Sequence, residues 1–493
     1  MKKLLTTTIA IIGLYTFSFA QYVDNALLFT QQNYGTTARS KAMGGAFGAL
    51  GGDFSSLSIN PAGIGVYQRS EFSTSVNMLN YNKTKSTYQG YSGEDDSNKF
   101  NFSNLGFVGS TPMVNSSVSG LVSLNYGIGF NKLNNFNQNS QAYANYSPHS
   151  RLDAFAQNAK GLTTIALNDE NAFYNIPFES KLAWDNYLID PGEALNTYVP
   201  ILQSGETVDQ LENVHSEGYI NEYVLSIGAN FNHKLYLGAT FGFQDLYFNE
   251  RYSYGEDFYT TSDERFGDFF YTYQNAYNGS GYDFKIGAIY RPIPQIRLGL
   301  AYHTPTFYYL KYDYSAEMSS NLSQVSAEAD GSHYSETPYF HENMNFRTPS
   351  RLIASAAFQF GKRAMLSIDY EYLNYASIKY SGNAYADINL AIKDTYTKAN
   401  NIRIGAEVRM TEHFSLRGGT EFLSNPFNDA EYKYNSYSGG LGYSNQRFSV
   451  DLAYSLGELT TYRNIYWVDN IQQDPVKEQN MRHEVMLTLG FKF

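Results

Sequence analysis

The chain has 493 residues, no cysteine, a formal net charge of −12, 45 tyrosines and 34 phenylalanines. The lack of cysteine excludes disulfide and thiol chemistry, and the acidic balance argues against nucleic acid as a partner. The mean hydropathy of −0.40 is that of a soluble protein, but alternating membrane strands hide their hydrophobicity from such averages.

The N-terminus has the pattern of a secretory signal peptide. Lys2 and Lys3 precede an apolar stretch that ends at Phe17, and residues 18–20 have the small-x-small pattern of a cleavage site. The apolar stretch is short for a transmembrane anchor. We therefore expect residues 1–20 to be removed on export.

Residues 21–67 are rich in glycine and too irregular to form strands. Apolar side chains such as Phe47, Leu57 and Ile64 lie between the glycines, and a disordered linker would not need them. Glycine also allows a backbone to approach a surrounding wall closely. The pattern predicts a compact plug, or hatch.

From residue 68 to residue 493, apolar and polar residues alternate in about fourteen segments, of which 118–131, 282–290, 402–410 and 480–493 are clear examples. A period of two indicates strands with one apolar face. The opposite face carries charges, which face lipid only at high cost and therefore belong in a lumen. These lumenal residues are Asp283, Lys285, Arg297, His303, Asp369, Glu371, Arg403, Glu407, Arg409, Arg417 and Asp451. We expect most of them to form ion pairs that fill the barrel, rather than a translocation path.

Short and long connections alternate along this region. The long ones are 132–218, 252–279, 310–348, 379–398, 422–436 and 459–479. Outer-membrane barrels have short periplasmic turns and long extracellular loops. We therefore expect both ends of the barrel on the periplasmic side. The largest loop, 132–218, should contain short helices.

The C-terminal strand has an outward apolar row that includes Leu487, Leu489 and Phe491, and the chain ends on Phe493. This pattern resembles the closing strand of bacterial outer-membrane barrels, which the barrel-assembly machinery reads. Phe491 and Phe493 are therefore candidate assembly residues. The predicted fold is all-β, a transmembrane antiparallel up-and-down β-barrel of about 14 strands with the hatch inside its lumen.

The predicted hatch is similar to that of one known family. The stretch from Gly35 to Val66, above all its motif Asn60-Pro61-Ala62-Gly63, resembles the N-terminal hatch of the long-chain fatty-acid transporter (FadL) family of outer-membrane proteins. Thr348-Pro349 and the run 451–454 extend the resemblance into the barrel. It implies passive uptake of hydrophobic compounds, with lateral exit into the membrane at a kinked third strand.

Two sets of residues are candidates for the path of a ligand. Gly127 and Gly129 lie on the third strand, where glycine weakens pairing. They could mark the kink or simply make room for the hatch. Phe269, Phe270 and Tyr271 could line a ligand groove or belong to an aromatic girdle.

The sequence favours a monomeric barrel that transports hydrophobic small molecules, such as long-chain fatty acids, without a cofactor. The eight histidines have no metal-ligand spacing, and no catalytic motif is present, so we do not expect an enzyme. Some relatives with this barrel are partners in protein secretion, and others carry a haemin-receptor label. A role as a docking partner, secretion-associated or adhesin-like, or as a haemin receptor is therefore the alternative. The identity of the ligand stays open.

Overall fold

The computed structural model describes residues 16–493 with the exception of 114–119, 170, 175, 203–204, 260–265, 327, 430, 470 and 472. Within this part of the chain, no helix is both long and apolar enough to cross a membrane. The helices are α1 (Thr16–Leu28), α2 (Ala38–Ala42), α3 (Ser56–Ile59), α4 (Arg151–Ala159), α5 (Thr164–Leu167), α6 (Phe178–Asp185) and α7 (Ala386–Thr395), with 3₁₀ turns at Pro61–Val66, Ala172–Tyr174, Tyr375–Ser377 and Asn383–Tyr385.

The strands account for most of the chain. In chain order they are β1 (Glu71–Tyr88), β2 (Tyr91–Asn98), β3 (Asn101–Pro112), β4 (Leu121–Asn135), β5 (Gln138–Ser147), β6 (Ile189–Pro191), β7 (Tyr198–Pro200), β8 (Thr207–Phe231), β9 (Leu235–Tyr259), β10 (Phe266–Ile293), β11 (Ile296–His303), β12 (Phe307–Ser323), β13 (Gly331–Glu336), β14 (Phe340–Arg347), β15 (Arg351–Phe360), β16 (Ala364–Asn374), β17 (Lys379–Tyr380), β18 (Lys398–Arg409), β19 (Phe414–Leu423), β20 (Tyr432–Ser444), β21 (Phe448–Arg463) and β22 (Val476–Lys492).

Apart from β6 and β7, which pair only with each other, these segments form a closed antiparallel barrel of 14 strands. Several barrel strands consist of two segments in line, such as β2 with β3, β4 with β5, and β11 with β12. The first strand, β1, pairs with β22 over a register that runs from Glu71↔Lys492 to Thr87↔Lys477, and this pairing closes the barrel. Closure leaves no sheet edge, whose backbone N–H and C=O groups would find no hydrogen-bond partner in lipid. The predicted fold is confirmed.

The two faces of the wall also agree with the sequence. On β22, Glu484 and Thr488 are buried on the lumenal side, whereas Leu487 and Leu489 are half-buried on the outside. All the charged residues predicted to face the lumen are buried except Arg297 and Arg409. Since lipid does not solvate charge, alternation alone decides which row faces inward.

Several strands extend well beyond the apolar band, which differs from the expected long loops. The segment 132–218 is partly strand, because β4 continues to Asn135 and β5 pairs with β8 from Gln138↔Ser216 to Ser147↔Val208. Likewise, β9 pairs with β10 without interruption up to Tyr259↔Phe266. Most outward residues of this extension, such as His215 and Arg251, are polar, although Leu211 and Phe270 also lie outward. Because the outside here is water rather than lipid, the apolar row that marks a membrane strand is missing.

A cap formed by residues 148–202 closes the long-loop end, and it contains the short helices that the sequence predicts there. Its anchor is Arg151, whose guanidinium carbon lies 4.9 to 5.6 Å from the ring centroids of Phe155, Tyr252, Tyr254 and Tyr271. The same guanidinium binds Glu179 at 3.1 Å. Four rings and a carboxylate thus stabilise one buried cation, and they fix the cap to the extended strands.

The lipid-facing row predicts the cost of a misplaced charge. Leu487→Arg should lower the free energy of unfolding by about 2–4 kcal/mol, because position 487 lies outward and near the middle of the bilayer. Gln479→Arg on the same strand is the matched control. This position is exposed above the apolar band, so the same charge should cost only about 0–1 kcal/mol. Equal costs in denaturant titrations of vesicle-inserted protein would contradict the assigned faces.

Candidate functional site

The hatch, residues 22–67, lies inside the barrel, and its predicted motif holds it against the wall. Asn60 Nδ2 donates to the carbonyl oxygens of Gly48 at 2.6 Å and Ala288 at 3.3 Å, and its Oδ1 accepts from Ala62 N at 3.1 Å. Pro61 starts the 3₁₀ turn that follows, where its fixed φ is favourable. Gly63 packs so closely that an added Cβ would lie 2.6 Å from Ser56 Oγ. The motif therefore connects two hatch segments and strand β10.

Wall side chains bind hatch carbonyl groups at several further points. Arg297 Nη1 donates to Leu50 O at 2.6 Å, and His303 Nε2 donates to Ile59 O at 2.8 Å. On strand β4, Asn125 Nδ2 donates to Ile64 O at 2.7 Å and to Tyr67 O at 3.0 Å. An irregular segment has no regular backbone hydrogen bonds for its carbonyl groups. Side chains of the wall therefore donate the hydrogen bonds that these groups need.

Ion pairs also hold the hatch to the wall. Arg39 Nε lies 3.1 Å from Glu407 Oε2, and Lys41 Nζ lies 2.7 Å from Glu484 Oε2. Between strands, Arg417 lies 2.7 Å from Glu407 and 2.6 Å from Asp451. Similar groups join Lys285 with Glu222 and Asp283, and Glu371 with Arg351 and Arg403. Most of the predicted lumenal charges are therefore paired, as expected of a filled interior.

Between the hatch and the wall, the lumen keeps a cavity of about 360 Å³. Its wall combines aromatic and aliphatic side chains, including Leu28, Phe136 and Phe248, with charged residues such as Lys41 and Arg482. A cavity with an apolar body and a few polar groups is the usual form of a small-molecule site. This cavity is the candidate site of the barrel.

The third barrel strand does not kink at the predicted glycines. β4 pairs with β3 from Asn104↔Asn131 to Pro112↔Ser123, and with β8 from Ser123↔Asn230 to Lys132↔Asn221, so the ladder is unbroken through residues 125–131. An added Cβ at Gly127 would meet Leu57 Cδ2 at 2.8 Å, and one at Gly129 would meet Phe54 Cζ at 2.5 Å. The prediction of a kink at Gly127 and Gly129 is wrong. Both glycines make room for the hatch.

The strand breaks instead between Asn135 and Gln138, where β4 ends and β5 begins. Above the pair Asn104↔Asn131, the second and third barrel strands no longer pair, although both are described throughout this stretch. We call this unpaired stretch of wall, between residues 91–103 and 132–147, the wall gap. Individual side chains bridge it, for example Asn82 Nδ2 to Asn137 O at 3.0 Å.

The wall gap adjoins the cavity at its inner end. Asn134, Asn135, Phe136 and Gln138 line the cavity, and Phe136 packs edge-on against Phe248 with ring centroids 5.5 Å apart. On the outside, Phe100 is 67% exposed beside the gap. The sequence analysis missed these residues, although the run Asn134-Asn135-Phe136-Asn137 breaks the alternation and could have signalled the interruption.

The three candidate groove residues do not share a surface. Phe269 and Tyr271 point inward and are fully buried below the cap, whereas Phe270 points outward and is 48% exposed. Consecutive residues of a strand face opposite sides, so a single groove lined by all three is wrong. Phe269 and Tyr271 belong to the packing around Phe155 of the cap, at 6.0 and 6.3 Å between ring centroids.

The C-terminal aromatics lie at the short-turn end. Phe491 points outward and is 53% exposed, and Phe493 is 71% exposed. The ring of Phe493 stacks on that of Phe107 at 6.1 Å between centroids, and its backbone N–H donates to Ser70 O at 3.0 Å. Both rings are accessible, and their role in assembly stays a prediction.

Comparison with known proteins gives the same architecture. No family model and no curated protein matches the sequence. Among solved structures, the toluene transporter TodX of Pseudomonas putida is similar with a TM-score of 0.54 and 13% identity, over 93% of this chain and 98% of that one. A Pseudomonas aeruginosa FadL homologue gives a TM-score of 0.52 at 13% identity, over 93% of this chain and 98% of that one.

The chain has the fold of the FadL family. The resemblance predicted from the hatch motif is confirmed at this level. A TodX mutant described as a monoaromatic hydrocarbon channel is also similar, with a TM-score of 0.52, 12% identity and coverage of 94% and 99%. Together with the lipid-facing band, this likeness identifies an outer-membrane-type barrel.

The hatch contacts predict a leak when they are removed. Asn60→Ala eliminates the bonds to Gly48 and Ala288, and each buried carbonyl left unsatisfied costs about 1–3 kcal/mol. We expect the variant to show pore openings in planar bilayers, where the parent protein should be closed. Asn445→Ala, in an exposed short turn, is the control and should remain closed. A silent Asn60→Ala variant would mean that the motif does not secure the hatch.

Proposed function

We propose that this protein carries hydrophobic small molecules passively across the outer membrane and releases them sideways through the wall gap. In this proposal, the short turns and both barrel ends are periplasmic and the long loops are extracellular. The observation that carries it is the position of the 360 Å³ cavity, which the tightly bound hatch lines on one side and the unpaired stretch of wall adjoins on another.

The number of contacts favours the side exit over passage through the hatch. To leave downward, a ligand would have to break the hydrogen bonds that hold the hatch in place, together with buried ion pairs. These hydrogen bonds are made by Arg297, His303, Asn125 and Asn60. At the wall gap, no backbone ladder joins the strands, and the described contacts are side-chain hydrogen bonds, such as Lys132 Nζ to Asn101 Oδ1 at 3.1 Å, and packing, such as that of Tyr91 on Tyr143 with ring centroids 5.7 Å apart. A few exposed hydrogen bonds of about 1 kcal/mol each open more readily than a buried network.

The ligand class follows from the apolar part of the cavity. Long-chain fatty acids and monoaromatic hydrocarbons both fit an apolar cavity with a few polar groups. Toluene and monoaromatic hydrocarbons are the compounds named for the TodX structures. We propose that one barrel is the functional unit, since cavity and gap belong to the same chain. We also propose that the exposed Phe491 and Phe493 are read by the barrel-assembly machinery.

A second candidate function is docking of another protein, secretion-associated or adhesin-like, on the cap. It is favoured by two apolar side chains that the cap leaves in water, Ile165 at 82% and Leu195 at 91% exposure. A pull-down with the intact protein as bait tests it. A stoichiometric partner that Ile165→Ser and Leu195→Ser release would support docking, and recovery of the bait alone would argue against it.

Reversible closure of the wall gap tests lateral exit. Ser97 Oγ lies 3.5 Å from Asn137 O across the gap, and the chain has no native cysteine. Ser97→Cys combined with Asn137→Cys should form a disulfide on oxidation. Uptake of labelled fatty acid and labelled toluene should then fall to the level of a strain without the protein, and reduction should restore it.

The control pair is Thr87→Cys with Ser92→Cys, which lie directly opposite each other in the β1–β2 hairpin with their hydroxyl oxygens 3.2 Å apart. A disulfide there leaves the gap open, so uptake should not change. If the oxidised gap pair transports as fast as its reduced form, lateral exit at this position is wrong. If the unmodified protein takes up neither compound, the transport function itself is wrong.

A further inference from the structure

Lysine and arginine are concentrated at the short-turn end of the barrel. They lie in the turns or at the adjoining strand ends, namely Arg69, Lys234, Arg291, Lys362, Arg363, Arg409, Arg447 and Lys492. We call these residues the basic rim. The side-chain carboxylates of the same segments are Glu71 and Glu412, and the turn 113–120, which the structure describes only in part, has no charged residue in its sequence. Since the whole chain has a net charge of −12, positive charge is confined to one end of an acidic protein.

Most residues of the basic rim have no acidic partner. Lys492 lies 4.0 Å from Glu71, and for the other rim cations no carboxylate of the described residues lies within 4.0 Å. Arg69, for example, donates a hydrogen bond to the backbone carbonyl oxygen of Gln446 at 2.9 Å. A carbonyl oxygen satisfies an N–H donor but does not neutralise the charge of the guanidinium. The rim therefore keeps a positive charge that the described part of the chain does not balance.

The rim cations also stand next to one another in pairs. Backbone hydrogen bonds of 2.6 to 2.7 Å connect neighbouring turns at cationic residues, joining Lys234 with Arg291, Arg363 with Arg409, and Arg447 with Lys492. Like charges that lie opposite each other on neighbouring strands destabilise a sheet. An anion placed between the two members of a pair removes this repulsion. The repetition of the arrangement in several turns therefore points to an anionic partner from outside the chain.

The direction of the side chains separates the rim from the lipid. Arg409 and Lys492 line a second cavity of about 380 Å³ between hatch and wall, so both face the mouth of the lumen. The outward side chains beside the rim are apolar, and Tyr290, Val408 and Phe491 are 51%, 42% and 53% exposed. Lipid beside the wall therefore contacts the apolar row. A partner that approaches along the barrel axis from the adjoining aqueous compartment contacts the cations.

A pocket of about 230 Å³ at the same mouth has a basic wall. Arg39, Arg297 and Arg409 line it together with Gln295 and Gln359, and none of the described residues of its lining is acidic. Arg39 already has a carboxylate partner in the wall, whereas Arg297 donates to a hatch carbonyl oxygen. The side chain of an aspartate or a glutamate can enter such a pocket and accept hydrogen bonds from guanidinium and amide groups.

We propose that the basic rim docks an acidic segment of a soluble periplasmic protein. The inference goes beyond transport, and it rests on the proposed orientation, in which the short turns are periplasmic. Charge complementarity requires an acidic partner, and the apolar outward row argues against lipid. The cation pairs lie in turns from β8 to β22, so an occupant that contacts all of them spans the mouth. A folded polypeptide has this width, and its acidic side chains can also enter the 230 Å³ pocket.

Binding of labelled poly-L-glutamate to the purified barrel in detergent tests the inference. Because the chain as a whole is acidic, non-specific attraction of this probe is weak. The parent protein should bind it, and about tenfold more salt should weaken the binding. Arg363→Gln combined with Arg409→Gln should lower the affinity at least about fivefold. Arg363→Lys combined with Arg409→Lys keeps both charges and should stay within about threefold of the parent.

Lys85→Gln combined with Lys477→Gln is the matched control. It removes two positive charges from β1 and β22 near the long-loop end, so the affinity should not change. If the parent protein does not bind the probe, or if both glutamine pairs weaken binding alike, the inference is wrong. The parent and lysine variants decide the matter even if the Arg363→Gln, Arg409→Gln protein fails to fold, which heat-modifiable migration would reveal.

Parallel probes separate the other possible occupants. If phosphatidylglycerol vesicles or isolated cell-wall sacculi bind through Arg363 and Arg409 and poly-L-glutamate does not, the partner is lipid or glycan and the inference is overturned. Intact cells should not bind the probe through this protein, since binding that the glutamine pair removes would place the rim outside the cell. Uptake of labelled fatty acid and toluene should stay at the parental level in these variants. Loss of docking with normal uptake would thus leave the transport function intact.

Discussion

A polar group inside a membrane barrel must find its partner inside the barrel, because the lipid outside offers none. In this protein the wall and the hatch each supply half of many pairs. Lys41 of the hatch neutralises Glu484 of β22, and hatch carbonyl groups accept hydrogen bonds from Arg297 and His303. The hatch therefore completes the hydrogen bonding of the wall, and its displacement would leave charges unpaired on both sides.

The same constraint decides where the wall can open. Unpaired strand edges in the hydrocarbon core would cost several kcal/mol for each exposed backbone group. The described ladder is continuous through the apolar band, even at Gly127 and Gly129, and it ends only near the interfacial residues Tyr81, His483 and Lys132. At that height, water and lipid head groups can bind the free edges. A side exit is therefore compatible with a stable barrel at the rim and not in the middle.

The barrel and hatch could be predicted because each rests on a rule of the local sequence. Alternation shows strands and their faces, and the glycine-rich motif around Asn60 indicates close packing against a wall. The wall gap, in contrast, depends on which strands fail to pair, and the alternation within one strand does not show its pairing with the next. Gly127 and Gly129 look like weak points in one strand, yet Leu57 and Phe54 of the hatch occupy the space that their side chains would need.

The extended strands show a second limit of periodicity. Above the membrane, the outer face of β8 to β10 contacts water and the inner face carries aromatic side chains. The alternation of apolar and polar residues that identifies a membrane strand is therefore missing. Phe269 and Tyr271 point inward and Phe270 outward, because the strand continues through a segment that reads as a loop. Neighbouring residues with similar chemistry therefore lie on opposite sides of the sheet. Only the strand register shows which of them faces inward and which faces outward.

A fold shared at 13% identity over 93% of this chain is understandable in these terms. The constraints that shape the wall and hatch concern pattern and pairing, and many residue combinations satisfy them. A cavity residue is under no such pattern, because either a charged or an apolar side chain can face the lumen. Arg482 occupies a lumenal position that the barrel itself does not require to be charged, since Glu484 already pairs with Lys41. The fold therefore accounts for the hatch and the closed wall, whereas the choice of ligand depends on individual side chains of the cavity.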